Sequence, residues 1–568
     1  MMVLAVFGAI SALCMPLFAA KTLYVVPPDT PGTTPTSPYG SWETAATNIA
    51  DAIAAAAANW GDVTTSTGDT ILVAPGTYDV ASTITMDKRL LTIKSVNRET
   101  GEEDRENTIL DGGGTTSIMK ITATYVSISG LTFANGFSTN ETVSMTGYSA
   151  GVYITAAYSM ISNCVFRGNT SFNTAGTCIN DNYKVGPIIS GCTFTNNTQI
   201  FTAGTINYNR GVSGCAIRIH IADSVPANEA DYGKIENCYF ADNKTSGKHV
   251  WGGVVWANYT TLDNCTFKGN EFTATEEYDV EKDILSGFSV ILSDGCPAMK
   301  NCRFSGRVAY PGEQYTYGSL LAIGSQDCII SNCTFSGINA VSGDREYGMV
   351  YVNKTGVKLV DCSFTNIVYD GIKSLWGMGL IYQTDKGGNL LLRNCLIGNN
   401  TISNRVGYIR QTTITAYPVG FSLENCTLVD NELEKYNSGK FVTQTASTCT
   451  NYMANCVFVA RVGFSAPAIA SNCCFKTPPS SYQVPSGNIT TNNCFHVDTL
   501  DGFKFVDYAN GDYRLQRKSP LCDRGMMLDW MTAGATDLDG NERVHLNLPD
   551  IGCYECQLNP PGFIMVFR

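Results

Sequence analysis

The residues best placed for chemistry recur as one four-residue signal, Asn-Cys-x-Phe. It stands at Asn163-Cys164-Val165-Phe166, Asn237-Cys238-Tyr239-Phe240 and Asn264-Cys265-Thr266-Phe267, then at Asn301-Cys302-Arg303-Phe304, Asn332-Cys333-Thr334-Phe335 and Asn455-Cys456-Val457-Phe458. With 22 cysteines in the chain, a thiol at regular spacing invites disulfide or metal chemistry. A second set lies between residues 200 and 256. Arg210, Arg218 and His220 are followed there by Trp251 and Trp256. Arg218 and His220 are two apart and share one face of a strand. A basic pair beside aromatics can hold a sugar, so these three are the catalytic candidates and the tryptophans the carbohydrate-binding ones. The plainer alternative is a solvated strand face under a covering loop. Two acidic sets could hold Ca²⁺: Glu271, Glu276, Glu277, Asp279, Glu281 and Asp283 in residues 271–290, which more often form a simply solvated loop, and Asp537-x-Asp539-Gly-Asn541, whose alternating oxygens resemble half a calcium loop. A capping turn is the competing reading of Asp537, Asp539 and Asn541. Cys553-x-x-Cys556 has no second pair to complete a zinc site.

The motif itself argues for architecture. Degenerate copies stand at Gly191-Cys192-Thr193-Phe194, Asp361-Cys362-Ser363-Phe364, Asn394-Cys395-Leu396-Ile397 and Asn425-Cys426-Thr427-Leu428, and an early copy, Gly130-Leu131-Thr132-Phe133, has no cysteine. Copies follow one another at 27 to 37 residues, with one gap of 46, the mark of a solenoid. Cys and Phe are two apart and share a face, while x varies among Val, Thr, Tyr, Arg, Ser and Leu as an outward site does. The residue before Cys is mostly Asn, otherwise Gly or Asp, types that accept φ > 0. The motif therefore predicts a left-handed corner followed by a strand with Cys and Phe inward. Stacked coils repeat at about 4.8 Å, so a dozen would form a rod of about 55–65 Å. Neighbouring ladder cysteines then have parallel Cβ vectors, unsuited to a relaxed bridge, and read as small buried hydrophobes.

Bulk properties narrow the function classes. The chain has 568 residues, 44% hydrophobic and 15% charged, with net charge −12. Nothing basic is in excess to neutralise phosphates, which excludes nucleic acid as the expected partner. Val3–Leu13 is an apolar run ending near Ala19-Ala20, too short to span a bilayer as a helix. Residues 1–20 are expected to be a signal peptide, although no Lys or Arg precedes Lys21.

Residues 21–67 read as a strand, a proline-rich loop and a capping helix over 41–60. Ser41 would be its N-cap and Trp42 to Ala58 its alanine-rich body. Strands and turns follow over 68–510, and 511–568 form a small C-terminal module.

Three stretches carry a resemblance. Gly-Asp-Thr-Ile-Leu-Val-Ala-Pro-Gly-Thr-Tyr from Gly68, Ile-Leu-Asp-Gly-Gly-Gly from Ile109, and Val-Ser-Ile-Ser-Gly-Leu-Thr-Phe from Val126 resemble the opening of secreted right-handed parallel β-helix proteins, the pectate-lyase-like superfamily. The likeness covers roughly residues 21–510. Ser519-Pro-Leu-Cys-Asp-Arg-Gly525, Asp537-Leu-Asp-Gly-Asn-Glu-Arg543 and Asp550-Ile-Gly-Cys-Tyr-Glu555 resemble the terminal module of bacterial surface β-helix proteins of the choice-of-anchor Q type. The resemblance implies an all-β, right-handed parallel β-helix, secreted or associated with a bacterial surface or outer membrane. It also implies contact with polysaccharide or cell-surface glycan. Lyases of this superfamily use a Lys or Arg base with acids that hold Ca²⁺, and hydrolases use clustered Asp; paired Asp-Asp, Gly-His-Gly and Arg-Ile-Lys are all missing here. The sequence is therefore read as a non-catalytic, monomeric rod, an adhesin, coat or carbohydrate-contacting scaffold. It requires no cofactor, and Ca²⁺ is the one ion its acids would suit. The alternative is a polysaccharide lyase or related carbohydrate-active enzyme acting on an acidic polymer.

Overall fold

The computed structural model is a right-handed parallel β-helix. It describes residues 20–58, 63, 67–144, 148–202, 214–221, 226, 228–247, 253–274, 288–308, 319–342, 349–371, 380–383, 390–404, 412–416, 420–429, 432–433, 440–444, 450–459, 467–476, 489–545 and 548–557. Residues 1–19 of the expected signal peptide, Arg210, Trp251, Cys449 and the acids Glu276, Glu277, Asp279, Glu281 and Asp283 lie outside the described residues.

Each coil contributes a strand to three long faces. The first face runs in parallel from Thr22–Val25 and Thr70–Val73 to Ala468–Ser471 and Ile489–Asn492. The second runs from Gly76–Asp79 and Thr108–Asp111 to Cys474–Phe475 and Phe495–His496. The third runs from Ile84–Met86 to Lys440–Gln444. A short fourth sheet from Phe137–Ser144 to Glu271–Ala274 widens the coils between the second and third faces.

The motif occupies the corner between the first and second faces. Asn163, Asn237, Asn264, Asn301, Asn332, Asp361, Asn394, Asn425 and Asn455 all take φ between 47° and 57°, with Gly130 and Gly191 equivalent at 67° and 63°. The amides form a partial ladder: Asn264 Nδ2 donates to Asn237 Oδ1 at 2.7 Å and Asn332 Nδ2 to Asn301 Oδ1 at 2.7 Å. Inward, the phenylalanines stack coil on coil. From Phe133 to Phe364 successive centroids are 4.6 to 4.9 Å apart and the rings within 9° of parallel. Each ladder thiol sits beside this column; Cys265 Sγ donates to Asp263 O at 3.4 Å and Ile235 O at 3.5 Å. All described cysteines are free. Two further copies of the corner, at Asn472-Cys473-Cys474-Phe475 and Asn493-Cys494, extend the ladder. Cys474 is the x residue of the first of these.

A second corner follows each Phe. Gly168, Asn196, Asp242 and Gly269 are left-handed, and the next residue is a buried Asn. Asn169, Asn197, Asn243 and Asn270 pass Nδ2–H···Oδ1 bonds from coil to coil at 2.9 to 3.0 Å. Each also donates to the main chain of the preceding coil, as Asn197 does to Phe166 O at 3.0 Å. In a dry interior such a ladder satisfies the main chain where the coil turns.

The N-terminal cap is shorter than expected. The helix is Ile49–Ala55, not 41–60, and its N-cap is Asn48, not Ser41. Asn48 Oδ1 accepts from Asp51 N at 2.8 Å and its Nδ2 donates back to Asp51 Oδ2 at 2.8 Å, a reciprocal cap that starts the helix there. Glu43 and Thr44 give their carbonyls to Thr34 and Thr36 instead, and Ala46 bridges Val25, so the chain before Asn48 runs as bends and a turn rather than helix. Ile49, Ala52 and Ile53 cover the open end of the first coil.

Candidate functional site

Strand Ile217–Ile219 places the first candidates. Ile217 and Ile219 enter the core, which sends Arg218 to the outer side of the third face. Its coil neighbours there are Asn180 and Trp256. Arg218 Nη1 donates to Asn180 Oδ1 at 3.1 Å, and its guanidinium carbon lies 5.4 Å from the Trp256 ring centre. The His220 ring lies 5.7 Å from the same indole, tilted by 30°, with Nδ1 3.1 Å from Asn182 Oδ1. Arg218 and His220 therefore lie together, as their spacing predicts, and coil register brings both to Trp256.

What they converge on is not open to a polymer. Arg218 is only 1% exposed. Burial pulls its pKa down to about 10, against the opposing influence of Asp181 and Tyr153. Asp181 lies on the core side of strand Ile179–Asp181 and is itself fully buried; burial pushes its carboxyl well above the usual range, with Arg218 and the Tyr183 amide opposing. This geometry makes Arg218 a charge held inside the coil wall. The solvated-face alternative also fails at Arg218, although Trp256 and His220 are partly exposed.

The C-terminal candidates form a turn. Asp537 Oδ1 accepts from Asp539 N at 3.0 Å and Asn541 N at 2.7 Å. Its Oδ2 accepts from Glu555 N at 2.9 Å and Asn541 Nδ2 at 3.2 Å. Its four acceptor positions are thus met by protein donors. In the acidic stretch, Glu271 pairs with Lys244 at 3.3 Å. Among the described residues no three His, Cys, Asp or Glu side chains gather as a metal set.

A different site comes from the third corner, where the third face turns into the first. Tyr125, Tyr158 and Tyr259 take φ of 60°, 58° and 44° there. A bulky residue in that region is strained by about 1–2 kcal/mol relative to Gly. Tyr125 and Tyr158 stack at 4.5 Å and 12°, and Arg89 lies 5.3 Å from the Tyr125 ring centre. The Tyr158 hydroxyl donates to Asp231 Oδ1 at 3.2 Å. Tyr232 then meets Tyr259 edge-on at 5.8 Å. In the following coil Gly295 fills the corner, where a Cβ would stand 2.1 Å from the Tyr259 ring. Tyr158 is 41% exposed, and Met160 and Ile188 on the adjoining first face are 41% and 37% exposed. The result is a tyrosine ledge along five coils, roughly 20–25 Å at the coil spacing. Tyrosine two residues before the paired positions Ser127, Met160, Lys234 and Thr261 recurs at Tyr125, Tyr158, Tyr232 and Tyr259, but nothing in that repeat signals exposure.

The family model described as right handed beta helix region matches residues 205–383. No curated protein matches this sequence. One solved structure similar in part, the crystal structure of GH136 lacto-N-biosidase from Eubacterium ramulus (selenomethionine derivative), aligns at 9% identity over 84% of this chain and 68% of that one. Its TM-score is 0.22, too loose a superposition to bear on activity. The family match falls on the coils that hold Arg218, His220 and Trp256, and it agrees with the parallel ladders described above.

Proposed function

We propose that this protein is a secreted or surface-attached β-helical rod, an adhesin, coat or scaffold, that holds polysaccharide against the tyrosine ledge without transforming it. The observation that carries this reading is the retention of three tyrosines in left-handed corners. Along the same corner Leu90 is also left-handed, while Gly295, Asp327 and Gly356 hold the turn in later coils; persistent strain of this kind is a mark of functional surfaces. A tyrosine ring offers an apolar face to the C–H side of a pyranose and a wet hydroxyl at its edge. The coil repeat sets such rings in line along the rod, as an extended polymer needs. Surface attachment rests on the C-terminal module's resemblance to anchor-bearing β-helix proteins. The burial of Arg218 weighs against its use as the base of a lyase.

The test is retention of the full chain on immobilised neutral and acidic polysaccharides, with the Tyr125→Ala, Tyr158→Ala double variant beside it. Retention of the native chain by at least one polymer, lost in the double variant at unchanged thermal stability, is the expected result. Equal retention of both proteins would remove the ledge from the reading. Release of unsaturated uronate from any polymer would replace the scaffold with a lyase.

A further inference from the structure

The C-terminal module does not extend the rod. After Phe495–His496 the chain folds back as an antiparallel pair, Phe505–Asp507 with Asp512–Leu515, and lies along the outer side of the second face. The x residues beneath it are mostly apolar, and the exception, Thr427, accepts from Cys553 N of the module at 3.0 Å. Leu396, Val457 and Cys474 pack with Phe503, Tyr513, Leu521 and Ile551. One or two coils earlier the x residues are Thr334 and Ser363. The module overhangs these polar positions without filling the space above them, which leaves a cleft of about 330 Å³. Thr334, Ser363 and Asp361 line its floor, and Tyr513, Asp539 and Tyr554 line its roof.

Asp361 sets this place apart among the described corners. It is the one acid among the described corners of the Asn ladder, with φ 53° where its neighbours Asn332 and Asn394 have 49° and 55°. Its Oδ1 accepts from Asn394 Nδ2 at 2.6 Å. An Asn would satisfy the corner equally well, so the fold does not account for the carboxyl. Asp539 is set opposite by the turn that Asp537 organises. Burial raises the proton affinity of both Asp361 and Asp539.

The lining selects a ligand class. It offers hydroxyl, amide, phenol and carboxyl groups, and it contains no Lys or Arg. An anionic sugar or a phosphate would meet two acids in a lining without a Lys or Arg. A bare cation would need three or more close protein oxygens, and no acid cluster of that size occurs among the described residues. Neutral polyhydroxylated ligands match, because each hydroxyl both donates to a carboxylate and accepts from an amide or phenol.

From this juxtaposition of rod and module we infer that the cleft between the Asp361 corner and the Tyr513, Asp539 and Tyr554 overhang is a binding site for one or two units of a neutral saccharide. It does not depend on the tyrosine ledge, and its experiment separates the two. Saturation-transfer NMR is run on the full chain with glucose, galactose, N-acetylglucosamine, cellobiose and lactose as probes, with galacturonate as the charged control. The expected result is transfer to at least one neutral sugar and none to galacturonate. Asp361→Asn, which restores the residue found at the other corners and so preserves the fold, should weaken binding about tenfold, as loss of a charged hydrogen-bond partner does. Asp539→Ala should do the same, and the Tyr125→Ala, Tyr158→Ala variant should leave this binding unchanged. Absence of transfer to every neutral probe, transfer to galacturonate, or binding that survives both Asp361→Asn and Asp539→Ala would overturn the assignment.

Discussion

Arg543 Nη2 lies 2.5 Å from Glu555 Oε1, with both side chains sealed from solvent. The same guanidinium donates to Asp550 O at 2.8 Å, Gly552 O at 3.1 Å and Asn394 Oδ1 at 3.3 Å, so one arginine ties the C-terminal module to the Asn ladder of the rod. Asp550 in turn accepts from Asp523 N at 2.6 Å and Cys556 N at 2.7 Å. Burial pushes Glu555 up to about 9 and Asp550 above the ordinary carboxylate range, with Arg543 opposing both. In the unfolded chain these acids titrate at about 4. The folded module therefore binds more protons than the unfolded one between those values. The associated stability is complete below about pH 4 and is lost as pH rises towards 9. Proteolysis of the module should accelerate from pH 6 to pH 9 while the rod stays resistant. Glu555→Gln should flatten that dependence, and a Glu555→Gln protein with an unchanged pH slope would refute the assignment. Arg543→Met should cost about 3–5 kcal/mol by leaving buried acids uncompensated.

Arg218 gives a second test, because a wall residue and a catalytic base fail differently. Removing its charge takes away the bond to Asn180 and the contact with Trp256. Arg218→Met should lower stability by about 1–3 kcal/mol, read as a shift in the urea midpoint. A single variant with unchanged stability would show that Arg218 is not part of the coil wall.

How much of this was legible follows from the range of the interactions. Asn-Cys-x-Phe encodes a local event, a corner and an inward strand, so the fold, the free thiols and the outward x residues could be read directly. Asn48 with Asp51 was equally local, yet the alanine-rich run drew the helix start to Ser41; reciprocal capping is a stronger signal than composition. The burial of Arg218 was not readable, because its cover comes from coil neighbours such as Asn180 and Trp256, 38 residues away on either side. The cleft was still less so. Tyr554 and Ser363 meet there across nearly 200 residues. Only the change of x from Thr334 and Ser363 to Leu396 and Val457 hinted that something lies over the last coils.

The corner itself can be tested by side-chain type. Asn264 has φ 50°, and its amide donates to Asn237. Asn264→Gly keeps the backbone at ease and loses one exposed hydrogen bond, so its cost should stay within about 1 kcal/mol. Asn264→Ala adds the left-handed penalty of about 1–2 kcal/mol. The order Asn, Gly, Ala in thermal midpoint is the expected outcome, and Ala equal to or above Gly would contradict the role given to this position.

The thiols supply the final prediction. Cys164, Cys192, Cys238, Cys265 and Cys302 are buried at successive coils, and each is the small partner of a stacked phenylalanine. Elsewhere in the interior, burial pushes the Cys215 and Cys296 thiols up to about 12, far from the thiolate form that reacts. In the native protein a thiol reagent at pH 8 should therefore reach the partly exposed Cys494, Cys522 and Cys556 but not the ladder thiols, and denaturant without reductant should release close to the full complement of thiols. Reductant should leave the thermal midpoint unchanged, because no cross-link would be lost. Phe240→Ala, which opens the middle of the ring column between Phe194 and Phe267, should cost about 3–5 kcal/mol and expose the neighbouring Cys238 and Cys265 to the reagent. A denatured thiol count near zero, or silent cysteines in Phe240→Ala at matched unfolding, would mean that the column is held by covalent links rather than by packing.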